Sequence, residues 1–281
     1  MRGDKIMFGR RPDGKAEKKI DPIVRITSMF MPQRCDAQVM LKKEIDYDVM
    51  SDYIKEKRAQ GIKISHMNII VAAFVKTVCA RPEFNRFIMN KKIYRRNEIC
   101  VSYAMLKDKV DDTINETTVK LKFDESDNIF TVAEKMNNAI IENRKIETQN
   151  FTDKLVNILL HIPLLPNLAI YMIKFLDKYG LIPKMILDAS PFHTSMFITN
   201  MASIRMDYVY HHIYNFGTTS MFFSMGKKEQ SLSLDKDNNL IKKNVMPLGI
   251  VIDERICSGA EYSQGFAIMN KYLKNPYLLE E

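Results

Sequence analysis

The chain reads as an α/β protein, a two-layer sandwich in which a large mixed sheet is covered by helices. Three observations point there. Short runs rich in β-branched and aromatic residues recur through both halves of the chain, at Val39–Ile45, Lys92–Arg95, Ile99–Met105, Thr118–Phe123, Met196–Thr199, Met221–Met225, Ser231–Leu234 and Val245–Ile252. Segments with helical apolar spacing alternate with them, and caps and breakers fall at the joins. The composition is that of an ordinary globular chain, 281 residues with 46% hydrophobic and 27% charged, which excludes collagenous and largely disordered classes.

Residues 1–22 read as an N-terminal arm, with a turn at Arg10-Arg11-Pro12-Asp13-Gly14 and solvated charge from Lys15 to Lys19. Residues 23–281 form the main domain. Its first strand, Val39–Ile45, leads to Asp46 or Asp48 as the cap of a helix through Tyr53, Ile54 and Arg58 that stops at Gly61. Ser65 can cap a much more apolar helix, Met67–Cys79, which must end before Arg81-Pro82 because proline cannot continue it. After three strands, Asp127–Ile141 places Ile129, Val132, Ala133, Met136 and Ile140 on one helical face. The last third returns to strands, with a hairpin loop at 235–239, and a final helix runs from about Ala260 to Leu273 before Asn275-Pro276.

Between these halves lies an apolar insertion at about 150–190. Leu155 to Ile173 carries no formal charge, the length at which a membrane span becomes a candidate. Pro163 and Pro166 break it, and Asn157, His161 and Asn167 make a free-standing span costly. The expectation is helices broken near 163–166 that pack over the sheet; peripheral contact of 151–191 with lipid or an acyl chain is the second reading.

Forty-two Lys plus Arg against 34 Asp plus Glu give a net charge of +8, which favours anionic partners. No reading helix or aromatic-basic interleaving accompanies the charge, so no nucleic-acid partner is expected. Cys35, Cys79, Cys100 and Cys257 are scattered without metal-ligand spacing, and no metal is expected. The first 14 residues are basic and lack the apolar core of a secretory signal, which places the chain in the cytoplasm with free thiols.

Four segments in one order carry a resemblance: Lys43-Glu-Ile-Asp46 with its following helix; Arg81-Pro-Glu-Phe-Asn85; Phe197-Ile-Thr-Asn200; and Met246-Pro-Leu-Gly-Ile-Val-Ile-Asp-Glu-Arg255 running into Ser258-Gly259-Ala260. Together they resemble the catalytic domain of the dihydrolipoamide acyltransferases of 2-oxo acid dehydrogenase complexes, relatives of chloramphenicol acetyltransferase, over most of residues 25–276. The resemblance implies a chloramphenicol acetyltransferase-like fold, a homotrimer with its site between subunits, and acyl transfer from a coenzyme A thioester to a small acceptor. In that family the last strand delivers a His-x-x-x-Asp-Gly motif whose His is the general base. Here Asp253-Glu254-Arg255-Ile256-Cys257-Ser258-Gly259 stands in its place, with Glu254 at the His position and Ser258 at the Asp position. The family's Asp pairs with an arginine from early in the chain, a role the resemblance assigns to Arg25. Thr199 matches its oxyanion-stabilising hydroxyl.

Two alternatives for the base follow. Glu254 could serve if burial raised its pKa, against the plainer reading of an ion pair with Arg255 or a basic neighbour. His211-His212-Ile-Tyr-Asn-Phe-Gly217 resembles the His-His-x-x-x-Asp-Gly of condensation domains, with Phe216 at the Asp position. A strand over 208–213 would point His211 and His212 to opposite faces. Cys257 reads as an inert packed thiol, and His66 and His193 as caps or surface residues. The sequence therefore supports a stand-alone acyltransferase-like protein, or else an inactive member that binds an acyl compound, a lipid surface or a partner protein.

Overall fold

Strand pairing in the computed structural model, which describes residues 11–107, 116–144, 161, 165–234 and 236–281, generates two sheets. The elements in chain order are β1 (Gly14–Ala16), α1 (Pro22–Phe30), β2 (Gln38–Asp46), α2 (Tyr47–Ala59), α3 (His66–Ala80), β3 (Arg86–Met89), β4 (Lys92–Arg96), β5 (Ile99–Leu106), β6 (Glu116–Phe123) and α4 (Ile129–Arg144). There follow α5 (Leu165–Lys178), α6 (Lys184–Ala189), β7 (Met196–Asn200), β8 (Met221–Met225), β9 (Glu229–Leu234), β10 (Leu240–Asp253) and α7 (Gly259–Lys274). The large sheet has the order β2-β10-β8-β7-β5-β6, with β9 paired to the first half of β10, and β1-β4-β3 form a small second sheet. β7 runs parallel to both β5 and β8; the other pairs are antiparallel.

Period-two alternation assigns the two faces of the large sheet. Met196, Ile198, Met221, Phe223, Leu248 and Ile250 point into the main core with α2, α3, α4 and α7. Helix α3 is the centre of that layer and is buried on nearly every side, its N-terminus closed by a capping box between Ser65 and Asn68. Asp46 caps α2 through the N–H groups of Asp48 and Val49, and Gly61 ends the segment at φ +81°. On the opposite face Phe197, Phe222 and Val251 form a smaller cluster with Ile213. The sequence reading did not foresee α1 or β3, and it took the start of the chain as an arm; β1 ties residues 14–16 to β4.

Part of the insertion lies outside the described residues, including the expected break at Pro163. Pro166 sits in the first turn of α5, where its missing N–H has no helical partner to lose. Helix α6 packs beside β6, where Lys120 Nζ donates to Leu187 O at 2.6 Å and to Ser190 O at 3.3 Å. Among the described residues no helix is long and apolar enough to cross a membrane.

A buried clamp holds the end of α5. Asp177 Oδ1 lies 2.6 Å from an Arg11 guanidinium nitrogen and Asp177 Oδ2 lies 3.0 Å from His193 Nε2, while His193 Nδ1 is 2.7 Å from Ser190 Oγ. Burial pushes the His193 imidazole below its ordinary value despite Asp177, so the neutral ring donates Nε2–H to the carboxylate and accepts the Ser190 proton. Burial alone would raise the Asp177 carboxyl, but His193 and Arg11 outweigh it and hold it low. The order Ser–His–Asp is that of a hydrolytic triad, yet Pro191 follows the serine and has no N–H to offer an oxyanion, and His193 is sealed from solvent at 1% exposure. The group therefore fixes structure. His193 is a buried residue, not the cap or surface histidine that the sequence suggested.

Both perturbations make the fold acid-labile. His193 titrates below its ordinary 6.5 in the fold, so the unfolded chain takes up a proton first as pH falls through 6.5; His66 shifts the same way through burial. Asp177 and Asp13 titrate below 3.8 in the fold, so a second loss begins as pH falls through that value. The melting temperature should therefore be level above about pH 7, decline from about 6.5, and fall more steeply below about 4. Calorimetry across that range checks it, and His193→Gln should flatten part of the first decline.

Candidate active site on the open sheet face

The last strand delivers a buried charge to the sheet end. Asp253 is fully buried and its carboxylate is gripped by Arg255, with Nε to Oδ1 at 2.8 Å and a terminal nitrogen to Oδ2 at 2.6 Å. Arg34 Nε approaches the same carboxylate at 3.6 Å. Burial, against the pull of Asp253, pushes the Arg34 guanidinium down to about 10, still charged at neutral pH. Arg25, the expected early arginine, is exposed on α1. Its replacement by Arg34 follows from topology, because the 3₁₀ turn at Cys35–Ala37 leads directly into β2, which pairs with β10 along its whole length up to Asp253.

The rest of the motif is occupied otherwise. Arg255 is committed to Asp253, so the expected Glu254–Arg255 pair does not form. Glu254 follows the strand in a turn, its N–H donating to Ala37 O and its side chain exposed. The burial that a carboxylate base needs is not supplied by the single chain. Ser258 caps α7: its Oγ accepts from Glu261 N at 3.2 Å and its N–H donates to Glu261 Oε2 at 2.7 Å. Gly259 is the first residue of α7, with open space where a Cβ would lie. The Cys257 thiol is buried against Glu83 O and raised by burial, as an inert thiol should be.

Thr199 and Glu254 are not neighbours within one chain. Thr199 pairs with Ser224 across β7 and β8, and Ser224 with Gly249 across β8 and β10. Asp253 is four positions beyond Gly249, roughly 13 Å along the strand, and two strands to the side. What shares a sheet face with Thr199 is His211. Residues 206–214 are not the strand considered above but an irregular segment lying across the open face. Val209 N donates to Ser224 Oγ at 3.1 Å, Ile213 N donates to Gln38 Oε1 at 2.9 Å, and Ile213 is buried against Phe197, Phe222 and Val251. His211 lies flat on Phe222, with centroids 4.1 Å apart and planes at 7°. Its Nδ1–H donates to His212 O at 2.8 Å, leaving Nε2 as the basic nitrogen, 3.5 Å from Tyr214 Oη. His212 stacks on His211 at 4.8 Å and is exposed, so the two rings are not on opposite faces.

Two glycines permit this close approach. A Cβ on Gly249 would stand 2.5 Å from Val209 O, and one on Gly226 would stand 2.6 Å from Tyr208 N. Phe222 pairs with Phe197, two positions before Thr199, so the residue on which His211 stacks lies on the order of 8 Å from Thr199, backbone to backbone, diagonally across the face. Among the described residues the Thr199 hydroxyl donates to Met201 Sδ at 3.8 Å, a weak acceptor.

At the Thr199 end of the sheet a cleft of about 390 Å³ is lined by Asn200, Ser203, Tyr47, His66, Lys227 and Lys228. Lys228 Nζ lies 4.9 Å over the Tyr47 ring, which stacks on His66 at 4.9 Å. Lys227 pairs with exposed Asp207 at 3.0 Å, a contact that solvent weakens. Asn200 Oδ1 is buried there without a hydrogen-bond partner. Sequence reasoning passed over Lys227-Lys228, although a basic pair directly after β8 was visible, and over Arg34, whose partner is 219 positions distant. Among the described residues no group of three or more His, Cys, Asp or Glu is placed to hold a metal ion.

No family model matches the chain, and no curated protein is similar to it in sequence. Solved structures define its class: it has the fold of the chloramphenicol acetyltransferase and dihydrolipoamide acetyltransferase catalytic domains. A chloramphenicol acetyltransferase matches with a TM-score of 0.55 at 13% identity, over 93% of this chain and all of that one. Dihydrolipoamide acetyltransferase of Azotobacter vinelandii matches at 0.58 and 10% identity, over 94% of each chain. A probable dihydrolipoamide acetyltransferase of Listeria monocytogenes matches at 0.53 and 11% identity, over 92% of this chain and 94% of that one. The likeness extends to the whole domain of each, at identities that establish the fold.

The glycine geometry predicts a local effect. Gly249→Ala should lift the 206–214 segment, raising hydrogen exchange at the Val209 and Ile213 amides, whereas Gly259→Ala, with open space for its Cβ, should leave both protected. Exchange measured by mass spectrometry distinguishes the two.

Proposed function

We propose that this chain is an acyltransferase that moves an acyl group from a coenzyme A thioester to a small hydroxyl, amine or thiol acceptor. The observation that carries the reading is the placement of His211 on the same sheet face as Thr199, with its Nδ1 tied down and its Nε2 basic. His211 Nε2 takes the acceptor's proton as that acceptor attacks the thioester carbonyl. Thr199 donates to the oxyanion of the tetrahedral intermediate, which collapses with loss of the coenzyme A thiolate, and the imidazolium returns the proton to sulfur. Lys227 and Lys228 in the adjoining cleft suit the donor's phosphates.

The working form is a homotrimer. The family resemblance supports this, as does the apolar face beside the Glu254 turn, where Ile23 and Phe30 are each 73% exposed on α1. A second reading, an inactive relative that binds an acyl compound or a partner, is favoured by Ser258 serving only as a helix cap and by Glu254 facing solvent.

Thiol release from acetyl-coenzyme A with a panel of small acceptors tests the first reading. His211→Ala should lower the rate by about 10² to 10⁴, Thr199→Val by about 10² to 10³, and Glu254→Gln should leave it within about twofold. If His211→Ala keeps the wild-type rate, the base assignment is wrong. Saturable thioester binding without turnover, lost in Lys227→Ala/Lys228→Ala, selects the inactive reading. Multi-angle light scattering should give three times the 32.7 kDa chain mass, and a monomer at micromolar concentration would overturn the trimer.

A further inference from the structure

Helix α5 leaves an apolar stripe exposed. Leu168, Tyr171, Met172 and Phe175, at spacing i, i+3, i+4, i+7, form one stripe and are 58%, 66%, 46% and 47% exposed. Asp177, nine positions from Leu168 and so about 180° round the helix, points the other way into the Arg11–His193 clamp and is 3% exposed. The clamp sets the roll of the helix and removes its one acid from the surface. The charges left outside on α5 are Lys174 and Lys178, both exposed, along one edge of the stripe. An apolar stripe bordered by lysines, on a helix whose single acid is buried and on a chain of net charge +8, is complementary to an anionic bilayer surface: side chains below the headgroups, ammonium groups among the phosphates. With 14 residues, α5 can lie in the interface but cannot span it.

We infer that α5 docks the protein onto anionic membrane surfaces, with its outward face fixed by the Asp177 clamp. This does not depend on acyl transfer. The test is co-sedimentation of the full chain with vesicles of phosphatidylcholine alone and of phosphatidylcholine with 30% phosphatidylglycerol, at low and at physiological salt. Wild type should pellet with the anionic vesicles at least tenfold better than with the neutral ones, and more weakly as salt rises. Leu168→Ser/Tyr171→Ser/Phe175→Ser should reduce binding on the order of 100-fold, and Lys174→Gln/Lys178→Gln roughly tenfold or more. All five positions are exposed, and an unchanged melting temperature together with unchanged trimer mass would confirm that the variants keep the fold. Wild type remaining in the supernatant with anionic vesicles overturns the inference. So does equal binding by the apolar triple variant, or a triple variant that loses its oligomeric mass, which would make the stripe a subunit contact.

Discussion

A carboxylate with no access to water must be satisfied by the protein, and Asp253 meets that requirement by drawing four parts of the chain to the end of the sheet. Arg255 holds both of its oxygens and reaches Met31 O; Arg34 stands beside it and donates to Tyr214 O, Gly217 O and Ile88 O. The entry to β2, the end of the open-face segment, β3 and the turn after β10 are thereby fixed relative to one another. Two guanidiniums share one carboxylate, which leaves a buried excess of positive charge, and the carbonyls they reach are what make that arrangement tolerable. Removing Asp253 would strand both cations in a site built to exclude water.

That junction also separates the two candidate sites. With Arg255 facing inward, the turn holds Glu254 outward, and with Ser258 capping α7 the strand end has no group left to orient a base. The open face offers more. Its irregular segment is anchored at one end through Tyr214 and Gly217 to Arg34, in the middle through Ile213 to Gln38, and on the other side through Val209 to Ser224. Gly226 and Gly249 let its backbone touch the sheet. His211 is thus placed by three independent anchors and by stacking on Phe222, the kind of support a catalytic imidazole requires if it is to hold its angle to a substrate.

Much of the scaffold was legible in the sequence because its signals are local. Ser65 capping α3, Pro82 ending α3, the choice of Asp46 or Asp48 at the start of α2, of which Asp46 is the cap, and the short apolar runs of β5, β8 and β10 each act within a few residues and match the structure. The site was less legible because its determinants are distant pairings. Arg34 and Arg25 are indistinguishable as letters, and only the β2–β10 register selects Arg34. His193 next to a strand start looks like a surface histidine until Asp177, 16 positions away, and Arg11, 166 positions from that aspartate, close around it. Residues 208–213 alternate well enough to pass for a strand, but the order of the large sheet gives β8 the neighbours β7 and β10 and leaves no edge for them to pair with, so they lie on the face instead.

The clamp on α5 and the junction at Asp253 follow one physical rule with two outcomes. In each, a buried carboxylate is shared by two basic groups, at least one of which reaches it from a distant part of the chain, and the cost of leaving any of them unpaired makes the local geometry singular. At Asp253 the result is inward: backbone segments converge and a sheet end is sealed. At Asp177 the result is outward: the acid is drawn to Arg11 and His193 on one side of α5, and Leu168, Tyr171, Met172 and Phe175 on the opposite side are left exposed. Ile170, about 20° from Asp177 round the helix, is exposed as well, and Ile173 and Leu176 are half-buried, so apolar residues occur nearly all round α5 and the hydrophobic effect alone gives the helix no single preferred roll. The ion pair with Arg11 and the hydrogen bond with His193 supply the preference that the apolar pattern lacks.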